Sequence, residues 1–185
     1  MIARGLICPE RSDAIEADRA WEEVRSESIQ TRTAPLECGN RCDRRGGEMT
    51  KREDLKLLIV EDRQVMLKII RRLLVQLGYA HVDEAANGLQ ALDRIRENTY
   101  DLILSDWNMD GMSGFDLLKI VRAAPATHAT PFILVTAEAK PENILAAKAA
   151  GANGYLLKPF KLDMLEKTLD SVLAATQGAD ALAVA

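Results

Sequence analysis

Lys56-Leu57-Leu58-Ile59-Val60-Glu61-Asp62 decides the fold, and Asp101-Leu102-Ile103-Leu104-Ser105-Asp106 repeats its design: a near-continuous apolar run that ends on carboxylates. Runs of this length, rich in Leu, Ile and Val, suit strands buried on both faces. The runs at 56–60, 82–85, 101–105, 132–135 and 154–157 are read as five strands. Between and after them lie stretches of helical length at 65–77, 88–97, 115–123, 142–149 and 162–174. The first of these places Met66, Ile69, Ile70, Leu73, Leu74 and Leu77 on one face and Lys68, Arg71 and Arg72 on the other, and Gly78 supplies its stop. Five strand-then-helix units predict an α/β fold, a doubly wound five-stranded parallel sheet with five helices covering both sides.

Ligands of such sheets collect at the carboxyl ends of the strands. Those ends carry Glu61 and Asp62 after the first strand, Asp106 after the third, Thr136 after the fourth and Lys158 after the fifth. Taken singly, an acidic residue after a strand is most often a turn former or a helix cap. Taken together, three carboxylates on one rim repel one another unless a hard cation or an ammonium offsets them. Oxygen ligands without His or Cys favour Mg²⁺ or Mn²⁺ over zinc. Phosphoryl transfer uses such a metal together with further fixed positive charge, which Lys158 would supply.

The rest of the chain sets bounds. Its 185 residues are 48% hydrophobic and 28% charged with a net charge of -4, enough for one ordinary domain and an appendage. No strong basic field points to nucleic acid. No apolar run approaches the roughly 20 residues of a membrane span, and residues 1–10 lack a signal peptide's apolar stretch, so the expected location is cytoplasmic. Residues 1–54 mix charge clusters with helix breakers and are expected to form a mostly disordered extension, in which a short helix over 20–29 would rest on the thin stripe of Trp21, Val24 and Ser28. Cys8, Cys38 and Cys42 all fall there, and Cys38 and Cys42 lack the second pair that a zinc site needs. Arg44-Arg45-Gly46-Gly47-Glu48 is the translation that purine-rich codons of a ribosome-binding site would give, which makes Met49 an alternative start. The globular unit is expected over 55–176, followed by a short flexible tail over 177–185. His81 and His128 are assigned to surface turns, Trp107 to a loop beside Asp106, and Met66 and Met112 either to the flanks of the site or to gap filling.

Leu57-Leu58-Ile59-Val60-Glu61-Asp62, Leu102-Ile103-Leu104-Ser105-Asp106-Trp107-Asn108-Met109, Val135-Thr136-Ala137-Glu138-Ala139-Lys140 and Gly154-Tyr155-Leu156-Leu157-Lys158-Pro159-Phe160 resemble the signatures of response regulator receiver domains, above all those of the chemotaxis CheY branch. The resemblance spans about 51–175 and implies a flavodoxin-like strand order, 2-1-3-4-5. It implies that Asp106 is the phosphoacceptor. Glu61, Asp62 and Asp106 would hold Mg²⁺ together with the backbone carbonyl of Asn108. Thr136 would be the switch hydroxyl, Lys158 the partner of the phosphoryl group, and Tyr155 the aromatic that changes rotamer, with a cis bond between Lys158 and Pro159. Asn108 and Glu138 would tune the decay of the acyl phosphate. Two residues depart from the CheY pattern: Glu61 replaces an Asp, and Asp110 replaces a Pro after Met109.

The function so implied is that of a single-domain two-component response regulator and not of an enzyme. It would be phosphorylated on Asp106 by a histidine kinase, with self-catalysed phosphorylation and dephosphorylation. As a monomer it would signal by binding protein, at the flagellar motor switch in chemotaxis, with a phosphatase as a further partner. A phosphate sink or phosphorelay intermediate is the alternative. A phosphatase of the haloacid dehalogenase type is the weakest reading, because Asp106-Trp107-Asn108 lacks the second Asp of that nucleophile motif.

Overall fold

The computed structural model describes residues 51–138 and 140–180, with side chains to residue 176. The short helix over 20–29, the three cysteines, Met49 and residues 181–185 lie outside the described residues. Five strands, β1 (Lys56–Val60), β2 (His81–Ala85), β3 (Leu102–Asp106), β4 (Phe132–Thr136) and β5 (Gly154–Leu157), alternate with α1 (Gln64–Gln76), α2 (Gly88–Glu97), α3 (Gly114–Ala123), α4 (Pro141–Ala149) and α5 (Leu162–Asp180). Every neighbouring pair is parallel, and the order is β2-β1-β3-β4-β5.

Successive side chains of a strand point to opposite faces, so each apolar run feeds two cores. Leu57, Ile59, Leu102, Leu104, Ile133 and Val135 pack on one side with Ile70 and Leu74 of α1 and Leu165, Leu169 and Val172 of α5. Leu58, Val60, Ile103, Phe132 and Leu134 pack on the other with Ala91 of α2, Leu117 and Leu118 of α3 and Ile144 of α4. Every residue of β3 and β4 is buried, as central strands covered on both sides must be.

Several boundaries differ from the sequence reading, each for a tertiary reason. β3 and β4 run one residue further, so Asp106 pairs with Val135 and Thr136 with Leu157 as last rungs of the ladder. Apolar patterning ends before the hydrogen bonds do, because a neighbouring strand can pair a polar residue as well as an apolar one. On α1, Leu67 is buried and Ile69 is 47% exposed; the helix carries more apolar residues than its sheet-facing stripe can use. α5 continues to Asp180, so helix replaces the first residues of the expected tail, consistent with the alanines at 174 and 175 being strong helix formers. Arg52–Asp54 form a 3-10 turn inside the expected extension. Arg52 holds that turn by donating to Glu166 at 2.9 Å, to both oxygens of Asp170 at 2.8 Å and to the Leu77 carbonyl at 3.3 Å.

Candidate functional site

The connections from β1 and β3 leave the sheet on opposite sides, which opens a crevice at their carboxyl ends. Glu61, the residue after β1, is fully buried and is fixed by its own N–H, which donates to the Ala85 carbonyl at 3.1 Å. Asp106 ends β3 and is also buried. Lys158 follows β5, and its N–H donates to the Thr136 carbonyl at 2.6 Å. From there its ammonium reaches Glu61 Oε2 at 2.6 Å and Asp106 Oδ2 at 2.9 Å.

One oxygen from each of Glu61, Asp62 and Asp106 lies within 4.8 Å of the others. Three carboxylates against the single ammonium leave a local excess of negative charge. Burial pushes the Glu61 carboxyl above its usual range, Lys158 pulls it back, and the charges of Asp106 and Asp62 add to the rise. Glu61 Oε1 and Asp62 Oδ1 are buried without a hydrogen-bond partner. Leaving such groups unpaired costs about 1–3 kcal/mol each, more when charged. A divalent cation with oxygen preference fits this donor set, since it would satisfy the orphaned oxygens and offset the repulsion together.

The neighbouring rim is built from β4 and β5. Thr136 is buried, and its hydroxyl oxygen accepts the Glu138 N–H at 3.2 Å. Tyr155 is only 9% exposed and donates its hydroxyl to the Glu138 carbonyl at 2.6 Å. Burial pushes its phenol up to about 12, against a hydrogen bond from the Thr136 side chain. The Glu138 carboxylate pairs with Lys140 at 2.8 Å, and the Lys158–Pro159 bond is cis. Asn108 and Asp110 are exposed on the β3–α3 loop. Asp110 does not join the carboxylate cluster; with Asn87, Gly88, Leu89, Gly111 and Met112 it lines a cleft of about 390 Å³. His81 opens β2 and is exposed, while His128 sits in a turn with Nδ1 2.8 Å from the Pro125 carbonyl. Met66 packs against the α1 and α5 core, and Met112 against the opposite one.

The profile described as the response regulator receiver domain matches residues 57–170. The chain belongs to the response regulator receiver family. The receiver is similar to the chemotaxis protein CheY-3 of Vibrio cholerae, 42% identical over 120 residues that cover 65% of this chain and 92% of the relative. Its structure is similar to that of the chemotaxis protein CheY4 of Vibrio cholerae, with a TM-score of 0.61 and 38% identity over 64% of this chain and 98% of the other. It is also similar, with a TM-score of 0.60 and 32% identity over 65% of this chain and 98% of the other, to the receiver domain of a sensor histidine kinase from Pseudomonas aeruginosa, whose structure has a magnesium ion coordinated in the active-site cleft. Receivers are phosphoacceptor switches, and this one is CheY-like in sequence and fold. Among its described residues no helix is long and apolar enough to cross a membrane.

Two features of the receiver's site escape a reading of strand ends. Gly114 donates its N–H to the Trp107 carbonyl at 3.0 Å, and a Cβ on Gly114 would sit 1.9 Å from the Asp106 carbonyl oxygen. Only glycine lets α3 start this close to the end of β3. Trp107 is not a free loop aromatic: it stacks on Phe115 and meets Tyr155 edge-on. The glycine is visible in the sequence, but nothing local marks it as a contact.

Proposed function

We propose that this receiver is a response regulator in which Asp106 accepts a phosphoryl group from a phosphohistidine of a histidine kinase and a protein partner reads the result. The observation that carries this reading is Lys158 bridging Glu61 and Asp106 beside the orphaned oxygens of Glu61 and Asp62. Glu61, Asp62 and Asp106 would hold Mg²⁺, or Mn²⁺, with the Asn108 backbone carbonyl. When bound, that ion supplies charge that offsets the phosphoryl oxygens.

The chain's own residues do the rest. A carboxylate oxygen of Asp106 attacks phosphorus in line, the P–N bond breaks, and its electron pair returns to the donor imidazole. Lys158, already 2.9 Å from Asp106 Oδ2, pairs with the charge that arrives. Water attack on the same phosphorus later releases inorganic phosphate and restores the carboxylate, so both steps are self-catalysed. Asn108 and Glu138 tune the rate of that attack. The Thr136 hydroxyl turns to the phosphoryl group, and the inward Tyr155 goes with it, biasing the surface of α4, β5 and α5 toward its partner-binding form. Similarity to proteins named for chemotaxis makes the flagellar motor switch the proposed partner, with a phosphatase ending the signal. The receiver acts as a cytoplasmic monomer.

Trp107 emission tests the chemistry, with Trp21→Phe as background because the chain has a second tryptophan. Saturable quenching by Mg²⁺, then a change with acetyl phosphate that Asp106→Asn abolishes, is expected. No donor-dependent change in the Asp106 protein would overturn the proposal.

A further inference from the structure

Trp107, Phe115 and Lys119 extend from Tyr155 as one continuous stack, and the phosphoryl chemistry above gives Phe115 and Lys119 no role. The Trp107 and Phe115 ring centroids are 5.0 Å apart with planes 12° from parallel. Tyr155 meets Trp107 edge-on at 6.4 Å and 70°. Lys119 sets its ammonium 4.2 Å from the Phe115 centroid. Parallel stacking and edge-on contact are the two arrangements aromatic quadrupoles favour, and a cation over the outer ring adds to them.

The backbone makes this stack a clamp. Trp107 donates its N–H to the Val135 carbonyl at 2.7 Å and accepts the Gly114 N–H at 3.0 Å, so its main chain is pinned between β4 and the start of α3. With the main chain fixed, the direction of the indole is set by what touches its faces. Phe115, next to Gly114 on α3, covers one of them. Tyr155 packs against the indole so held, and its hydroxyl ends on the Glu138 carbonyl.

We propose that Phe115 is a positioning residue for Tyr155: by clamping Trp107 it holds the tyrosine inward, with Lys119 bracing Phe115 from outside. The consequence for signalling rests on the reading above, in which the inward tyrosine belongs to the partner-binding form. The clamp couples the outer face of α3 to the surface of α4, β5 and α5, so a change at Phe115 alters the switch without touching Asp106, Thr136 or Lys158. Aromatic contacts of this kind shift a two-state ratio roughly two- to tenfold.

The test uses the full chain with 3-fluorotyrosine in place of tyrosine, the Tyr155 signal being assigned by its loss in Tyr155→Phe. Fluorine NMR with a soluble paramagnetic probe reads the exposure of Tyr155 in Phe115→Ala, Phe115→Leu and Phe115→Tyr. In parallel, each protein is titrated with beryllofluoride in Mg²⁺. Phe115→Ala should shift the inward-to-exposed ratio of Tyr155 roughly two- to tenfold and weaken beryllofluoride binding in proportion to the inward fraction lost. Phe115→Leu, which keeps bulk but loses the flat face, should do likewise, and Phe115→Tyr should restore both. Unchanged Tyr155 exposure in both Ala and Leu variants overturns the proposal, as does a Leu variant that matches wild type. Wild type that ignores beryllofluoride would count against the phosphoryl chemistry, while the exposure measurement, made without the analogue, still decides the clamp.

Discussion

Replacing Gly114 with alanine probes how the site is held together. The added Cβ would lie 1.9 Å from the Asp106 carbonyl oxygen, 2.8 Å from Ser105 Oγ and 2.9 Å from the Asp106 carbonyl carbon. On helix propensity alone the change would stabilise α3, by up to about 1 kcal/mol. Van der Waals contact instead requires α3 and the end of β3 to part by roughly 1 Å or more. The obstacle is backbone, tied by the ladder to Val135 and by the bond from Gly114 N–H to the Trp107 carbonyl, so little can yield cheaply. Overpacking costs about 1–3 kcal/mol, and a backbone obstacle places this case at about 3. The displacement also carries the Asp106 carboxylate away from Glu61 and Asp62. Mg²⁺ demands near-ideal distances of about 2.0–2.1 Å, so its affinity should fall at least roughly tenfold. Urea unfolding and Mg²⁺ titration by tryptophan emission measure the two effects. A Gly114→Ala protein with wild-type urea midpoint and Mg²⁺ affinity would refute the reasoning.

Three further outcomes are expected. Lys158→Met leaves the Glu61 and Asp106 carboxylates uncompensated in a buried site, so the metal-free protein should lose about 3 kcal/mol, much of it recovered in Mg²⁺; equal urea midpoints without metal would contradict this. Burial raises the Glu61 carboxyl, so its contribution to metal-free stability is complete below the ordinary carboxylate range and is lost as pH rises through the raised value. Stabilisation by Mg²⁺ should therefore grow with pH in thermal unfolding, and a flat or falling trend would count against the cluster. Arg52→Ala breaks ion pairs whose side chains are 36% to 51% exposed, so global stability should fall by less than about 1 kcal/mol while amide exchange near Glu166 and Asp170 quickens.

The sheet was legible because Leu57 to Val60 and Leu102 to Leu104 are apolar on consecutive residues over a strand's length, as a strand covered on both faces requires. The convergence of Glu61, Asp62, Asp106 and Lys158 was legible for a related reason: parallel strands bring their carboxyl ends to one rim, whatever the loops do. What stayed hidden depends on contacts between distant elements. Leu67 and Ile69 are chemically alike, and only packing against the sheet buries one and exposes the other. Arg52 reads as one more charge in a polar segment until α5 presents Glu166 and Asp170 to it. Phe115 follows the apolar pattern of a helix, yet it faces Trp107 because α3 crosses the end of β3. Asp110 stood out as a departure from the CheY pattern, and only the fold places it on the cleft lined by Asn87 and Met112.

Whether Asp106 takes the phosphoryl group with a divalent metal and Lys158 beside it is read by intact-mass measurement after incubation with acetyl phosphate and Mg²⁺, followed by reductive trapping of the acyl phosphate. A single phosphoryl addition is expected that maps to Asp106, fails to form when the metal is chelated before the donor is added, and is absent from Asp106→Asn. No addition, or one that persists in Asp106→Asn, would contradict it.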